Sequence, residues 1–411
     1  MASAASQGMV AIATLLAARA CDPALFGVLG VFTTLVVIGG TIASLRLEAA
    51  VVLPARDADA RRLATVGLLA APVVAAVVAI TMLVVGPAVL PRFDAEGLLA
   101  HPWAIPTAVL VLGWRSLMLG WCTRHGHVRA IAHGRLANGG AMSIGLLAAA
   151  TVSPTLGVLL AAWIAGQAAE AVVLGARTLG DPNFLGPARR PLRTRRLLTR
   201  YRRFPMVQLW SFLIEQLGPH LPTALIAGAF SAEIAGVYSI ISRIVARPMA
   251  VIGSSIAVVV QHQAGVNRRA RQPLRPVLAA GLRRLALAAM IIFIPIAAIG
   301  PWILPRILGP DWIEPGRALL AVLPGVVADF IAIPLLPVLG IVERLGTQLA
   351  GGLVRLTLVA GAIATLGGTD APPIVMMVTV SGVIVVIDLA MMRLAWRAAD
   401  SVIANPSPRA N

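Results

Sequence analysis

Residues 64–89 read ATVGLLAAPVVAAVVAITMLVVGPAV. No charged residue interrupts this run. It exceeds the roughly 20 residues with which an α-helix crosses about 30 Å of hydrocarbon. The same pattern repeats along the chain. Apolar segments fall near 1–20, 25–45, 64–89, 103–122, 136–152, 155–176, 206–229, 235–260, 276–299, 317–340, 347–367 and 372–393, twelve in all. Composition agrees with that reading. Of 411 residues, 58% are hydrophobic and only 12% charged, where soluble chains carry about 25% charged residues. Mean hydropathy is +0.88. Too little polar surface remains to cover several soluble domains, which argues against a water-soluble enzyme. The expected fold class is an all-α polytopic membrane protein.

The basic residues set the expected topology. All 34 are arginine, and the net charge is +17. Arg46, Arg56, Arg61 and Arg62 follow the second segment, and Arg124, Arg129 and Arg135 follow the fourth. The connection after the sixth, from Arg177 to Arg203, is the richest, and Arg268, Arg269, Arg271 and Arg275 follow the eighth. The odd-numbered connections hold few: Arg19, Arg92, Arg306 and Arg317. Arginine-rich connections stay in the cytoplasm. Both termini are therefore expected there. A nucleic-acid binder is a poor reading, because no folded basic module is present. Cys21 and Cys122 fall at opposite faces, too far apart for a disulfide.

The 177–205 connection separates six segments from six. The expected organisation is a bundle over 1–176, a basic cytoplasmic linker over 177–205, a second bundle over 206–395 and a cytoplasmic tail over 396–411. An even number of spans enters both halves in the same orientation, relating them by an axis along the membrane normal. A weak repeat supports this: Ala18, Ala20, Gly27 and Val28 recur in register as Ala227, Ala229, Gly236 and Val237. A basic amphipathic stretch precedes the seventh segment with no counterpart before the first, so the first helix reads as clipped at its cytoplasmic end.

Ionisable groups at membrane depth usually face a bundle interior or a watery cavity. Here they are Arg115, Glu170, Glu215, Arg243, Arg247, Asp329, Arg355 and Asp388. Glu215 lies near Pro219, His220 and Pro222. Two prolines three residues apart are expected to kink or unwind the seventh helix. Glu215 then lines a cavity, or else pairs with Arg243. Arg243 and Arg247 are four apart, hence on one helix face. Two guanidinium groups facing a lumen suit a phosphate-bearing substrate; Arg247 alternatively snorkels to the interface. Asp329 and Asp388 are candidates for proton or cation coupling, or for neutralising the arginines. Trp302 and Trp312 read as interfacial aromatics at the outer face.

Other chemistry is not signalled. The chain has no GxxxxGK[ST] phosphate loop, no GxSxG elbow and no HExxH. No catalytic residue, metal site or cofactor is expected. His125, His127 and His133 lack convincing metal spacing. Asp57 and Asp59 read as a solvated turn ahead of a paired-carboxylate site.

Several stretches, taken in order, resemble a known family. They are Arg46-Leu47-Glu48 with Val51-Val52-Leu53-Pro54 and Asp57-Ala58-Asp59; Tyr201-Arg202-Arg203-Phe204-Pro205; and Leu221-Pro222. Further along come Ala235-Gly236-Val237-Tyr238 with Arg243, Pro248 and Ile252-Gly253-Ser254. Gly309-Pro310-Asp311-Trp312, Pro334 and Val342-Glu343-Arg344 complete the series. Together, from about residue 8 to 395, these resemble the Wzx-like polysaccharide flippases of the multidrug/oligosaccharidyl-lipid/polysaccharide exporter superfamily. The resemblance implies two six-helix bundles around a central cavity, as in MATE transporters, working by alternating access. It implies a polyprenyl-pyrophosphate-linked oligosaccharide as substrate, moved to the outer leaflet for surface polysaccharide synthesis. Arg243 matches a position typical of the family, whereas Glu215 replaces an uncharged polar residue. A polysaccharide polymerase and a chain-length regulator are partners expected of the family only. The alternatives are a cation-coupled multidrug antiporter and a peptidoglycan-precursor flippase of the same superfamily. A membrane glycosyltransferase or polymerase is disfavoured, because the outer connections 90–102 and 300–316 are short.

Overall fold

The computed structural model describes residues 2–185, 191–202, 204–269, 272–310, 312, 314–341, 345–369 and 371–404. Among them there is no strand. Each of the twelve apolar segments is a helix. They are α1 (Ala2–Ala20), α2 (Pro23–Ser44), α3 (Asp57–Val84), α4 (Ala104–Arg124), α5 (Val128–Thr151), α6 (Leu156–Leu179), α7 (Leu209–Ala229), α8 (Ala232–Arg269), α9 (Arg275–Leu308), α10 (Pro315–Ala332), α11 (Leu345–Gly367) and α12 (Pro373–Ala404). Eight of the described helical stretches are long and apolar enough to cross a membrane by length and composition. The other four, α1, α5, α7 and α8, carry more polar side chains. In hydrocarbon every backbone polar group must be satisfied within its own segment, so an apolar chain of this composition has the helix as its solution.

By contacts the chain forms two compact units, Met1–Gly236 and Val237–Asn411. In the first, α5 packs against α1 and α6, α4 lies against α2, α3 and α6, and α7 runs along α2. Close approach relies on small residues, as expected where lipid supplies no hydrophobic drive between helices. Gly113 of α4 sits against Ala43 and Ala71, so all three helices meet at side chains of one carbon or none. Helix ends are capped by side chains. Asp22 accepts from the Ala24 amide at 2.7 Å, Ser231 from the Ile234 amide at 3.2 Å, and Asp94 from the Ala232 amide at 2.8 Å. Each satisfies an amide that the first helical turn leaves unpaired.

In the second unit α10 packs on α9 and α12, and α11 on α12. Phe293 and Phe330 meet edge to face with centroids 5.6 Å apart. The Ser381 hydroxyl accepts from the Gly325 amide at 2.7 Å.

Three expectations need correction. α7 does not unwind at Pro219 and Pro222; it is continuous from Leu209 to Ala229. The irregularity comes earlier, in a wide turn over Phe204–Gln208. The tenth segment is interrupted: α10 stops at Ala332, and a turn carrying Pro334 leads to a short helix, Pro337–Ile341. Pro334 has no N–H to continue the ladder, so the break falls there. Trp302 is 70% exposed, but Trp312 is buried at 4%, its ring taken up by protein packing rather than an interface. Cys21 and Cys122 are both free and buried. Asp311, Val342, Glu343 and Arg344 lie outside the described residues.

Candidate functional site

Five of the eight membrane-depth charges gather into two clusters, one in each unit. In the first, Arg115 of α4 donates from Nη1 to Glu170 Oε2 of α6 at 2.8 Å. Asn138 of α5 donates from Nδ2 to the same oxygen at 3.2 Å. Glu170 is 3% exposed, and Gly134 of α5 packs against its side chain. The carboxylate is thus held by one cation and one amide. Removing either partner strands a charge away from water.

In the second, Arg355 of α11 grips Asp329 of α10 through both terminal nitrogens. Nη2 donates to Oδ2 at 2.8 Å, while Nη1 donates to Oδ1. Nη1 also lies 3.5 Å from Asp388 Oδ1 of α12. Asp388 is 2% exposed, and among the described residues its Oδ2 is buried without a hydrogen-bond partner. Tyr238 of α8 is buried as well. Among the described residues two carboxylates share one guanidinium, an excess of one acidic group over basic ones. Among those residues the first cluster pairs one acid with one base, and the second pairs two acids with one base.

The two clusters draw on corresponding helices, the fourth, fifth and sixth of the chain and the tenth, eleventh and twelfth. The arginine stands on α4 in one and on α11 in the other. Among the expected site residues, Asp329 and Asp388 are brought together. Glu215 is exposed on α7. Arg243 is half-buried on α8, and the side chain of Arg247, one turn further, lies outside the described ones. Asn138 was not foreseen as a cluster member; one neutral amide in a helix bearing His133 and Arg135 gives no signal in sequence.

The histidines and acidic turn serve structure. Asp57 Oδ1 accepts from Arg124 Nε at 2.9 Å and Nη2 at 2.8 Å. Asp59 pairs with Arg62 at 2.9 Å. His125 stacks between Trp121 and His127, with centroids at 4.4 and 5.8 Å. Nearby, Arg46 pairs with Glu48 at 2.9 Å and lies over the Phe212 ring of α7 at 3.7 Å. At mid-length Thr34 Oγ1 donates to the His220 carbonyl at 2.9 Å. The α2–α7 seam is therefore tied at two levels.

A family model described as polysaccharide biosynthesis protein matches residues 16–315. The chain belongs to that family. No curated protein sequence matches it. Solved structures carry the same fold. An inward-facing multidrug MATE transporter of the MOP superfamily superposes with a TM-score of 0.79 at 12% identity, covering 98% of this chain and 96% of that one. The lipid II flippase MurJ in an inward closed conformation superposes at 0.72 with 10% identity, covering 98% and 89%. An outward-facing MATE transporter gives 0.59 at 11% identity, covering 98% and 95%. The polysaccharide biosynthesis family member is thus an all-α, multi-pass membrane protein of MATE-like fold, the family and fold that the sequence motifs resemble.

Proposed function

We propose that this family member is a flippase for polyprenyl-pyrophosphate-linked oligosaccharide. It moves the repeat unit from the inner to the outer leaflet of the bacterial cytoplasmic membrane by alternating access, supplying surface polysaccharide synthesis such as that of lipopolysaccharide or exopolysaccharide. The observation that carries the reading is the polysaccharide-biosynthesis match over residues 16–315 on a chain of transporter fold. A pyrophosphate and a hydrated glycan cannot cross hydrocarbon unaided, so the protein supplies a polar path for the head. The bundles 1–176 and 206–395, joined by the basic linker 177–205, pass from an inward-open to an outward-open state, with both termini cytoplasmic.

Arg243, partly exposed on α8, and Arg247 one turn on are assigned to the pyrophosphate, because two guanidinium groups four residues apart on one helix face suit its oxygens. Glu215, exposed on an apolar helix, is assigned to the glycan's hydroxyl groups. No step is chemical, so the protein is not an enzyme and needs no cofactor. A polymerase and a chain-length regulator consume the product.

A second reading, a cation-coupled antiporter, draws on the charge imbalance at Asp388. A proton or a small cation bound there balances Arg355 against two carboxylates, and the same event can drive a flippase. A leaflet assay in a deletion strain tests the leading reading. Lipid-linked oligosaccharide is expected to accumulate on the cytoplasmic face, to be relieved by wild type and not by Arg243→Ala. Intact surface glycan with no accumulation moves the weight to the antiporter.

A further inference from the structure

The connection between α6 and α7 contains a ten-residue helix, Pro191–Arg200, with the sequence PLRTRRLLTR. The transport reading makes no use of it. Leu197 is buried in a core with Leu47, Val51, Ala60, Ala64 and Trp121, and Leu198 and Tyr201 pack on the same core. That contact fixes where the helix lies. Ala60 and Ala64 belong to the first two turns of α3, which begins at Asp57. Trp121 belongs to the last turn of α4, which ends at Arg124. At a rise of about 1.5 Å per residue, these positions lie within roughly 10 Å of the helix ends. The surface helix therefore crosses the ends of the spans rather than lying beside their middles. This is the depth at which hydrocarbon gives way to headgroups.

α3 is itself a lipid-facing span: only 17% of its apolar window is buried in protein. The surface helix docked on its end thus borders the lipid. Arg196 and Arg200 are four residues apart, on one face, and both exposed; Arg202, just beyond, is exposed too. Among the described residues none of the three is paired with a carboxylate. A helix keyed into the protein by leucine and basic toward its surroundings has the physics of an interfacial helix. Guanidinium groups bind phosphate oxygens bidentately, and arginines at a membrane surface are drawn to anionic lipid.

We infer that the Pro191–Arg200 helix, with Arg202, is a docking surface for anionic phospholipid headgroups at the membrane interface. Leu197 holds the helix in place, and Arg196, Arg200 and Arg202 bind the phosphates. This rests on the membrane-spanning fold and is independent of the transported substrate. Phospholipid is the assigned partner because the helix sits over a span whose length faces lipid.

The test uses the purified full chain and native mass spectrometry. Retention of phosphatidylglycerol and phosphatidylcholine is compared for wild type and an R196Q/R200Q/R202Q variant. Wild type is expected to favour phosphatidylglycerol by about tenfold, and the variant to fall to about onefold. An R196K/R200K/R202K variant retains most of the preference. Thermal unfolding in phosphatidylcholine nanodiscs reports whether the variants are folded; if the triple variant is not, R196Q and R200Q singly are each expected to lower the preference at least twofold. An unchanged preference in the folded glutamine variants overturns the inference. So does a variant that keeps its phosphatidylglycerol preference but loses affinity for a polyprenyl pyrophosphate, since the arginines then serve the substrate.

Discussion

Gly27 and Gly236 occupy a reciprocal crossing at the start of α2 and α8. A Cβ on Gly27 would overlap the Ala232 carbonyl, and a Cβ on Gly236 would overlap the carbonyl of Pro23. Pro23 and Ala232 are themselves in register in the repeat that relates residues 18–28 to 227–237. Each glycine thus meets the partner of the other, the self-complementary pattern of a local two-fold contact. The caps follow the same correspondence, with Asp22 before one helix and Ser231 before the other.

Gly27→Ala or Gly236→Ala forces these backbones apart. The clash is with backbone, which has no rotamer to yield, so each variant is expected to lose about 1–3 kcal/mol. Gly218 in α7 has open space around it, and Gly218→Ala is expected to be neutral or slightly stabilising. Thermal unfolding of the three variants in detergent checks this; equal melting temperatures would remove the crossing from the account.

Arg355→Ala leaves Asp329 and Asp388 facing each other without their cation. Breaking a buried pair this way costs about 3–5 kcal/mol. The amount of folded protein recovered from the membrane is expected to drop sharply. Adding Asp329→Asn to Arg355→Ala is expected to restore much of it, since no charge then lacks its guanidinium partner except at Asp388.

Asp388→Asn behaves differently. It removes the charge in excess, so folding is expected to be unimpaired or improved, whereas Asp329→Asn loses the bidentate pair and destabilises. Transport measured against a proton or sodium gradient separates the roles. If Asp388→Asn folds and transports with unchanged gradient dependence, coupling at this cluster is excluded.

Asp94 caps the Ala232 amide from a distant connection. Asp94→Ala is expected to cost about 1 kcal/mol, the usual value of a lost N-terminal cap, and Asp94→Asn less. Melting curves measure the difference.

Single cysteines carry the topology prediction. Labelling from outside is expected to reach positions 94–100 and to spare 185–200; the reverse pattern inverts every assignment of leaflet made above.

The helices were legible in the sequence because each apolar run must satisfy its own backbone in lipid, whatever its neighbours do. The family was legible as well, through Arg46-Leu47-Glu48 and the ordered motifs after it. The clusters were not. Asp329, Arg355 and Asp388 stand on three helices, and nothing in their spacing says which arginine meets which carboxylate. Arg355 read as a minor residue and proved to be the hub. α7 illustrates the reverse: of the kink or unwinding that Pro219 and Pro222 predict, unwinding does not occur, and Thr34 of α2 bonds the His220 carbonyl between them.

Hydropathy by itself determined that the described chain is built of helices, eight of them long and apolar enough for a membrane, because it acts along a single segment. Tertiary structure alone decided that Arg115 meets Glu170, that Asp329 and Asp388 share Arg355, and that the glycine repeat is a contact. Those facts depend on which side chains distant in sequence share one low-dielectric site, where pairing energies exceed any local preference.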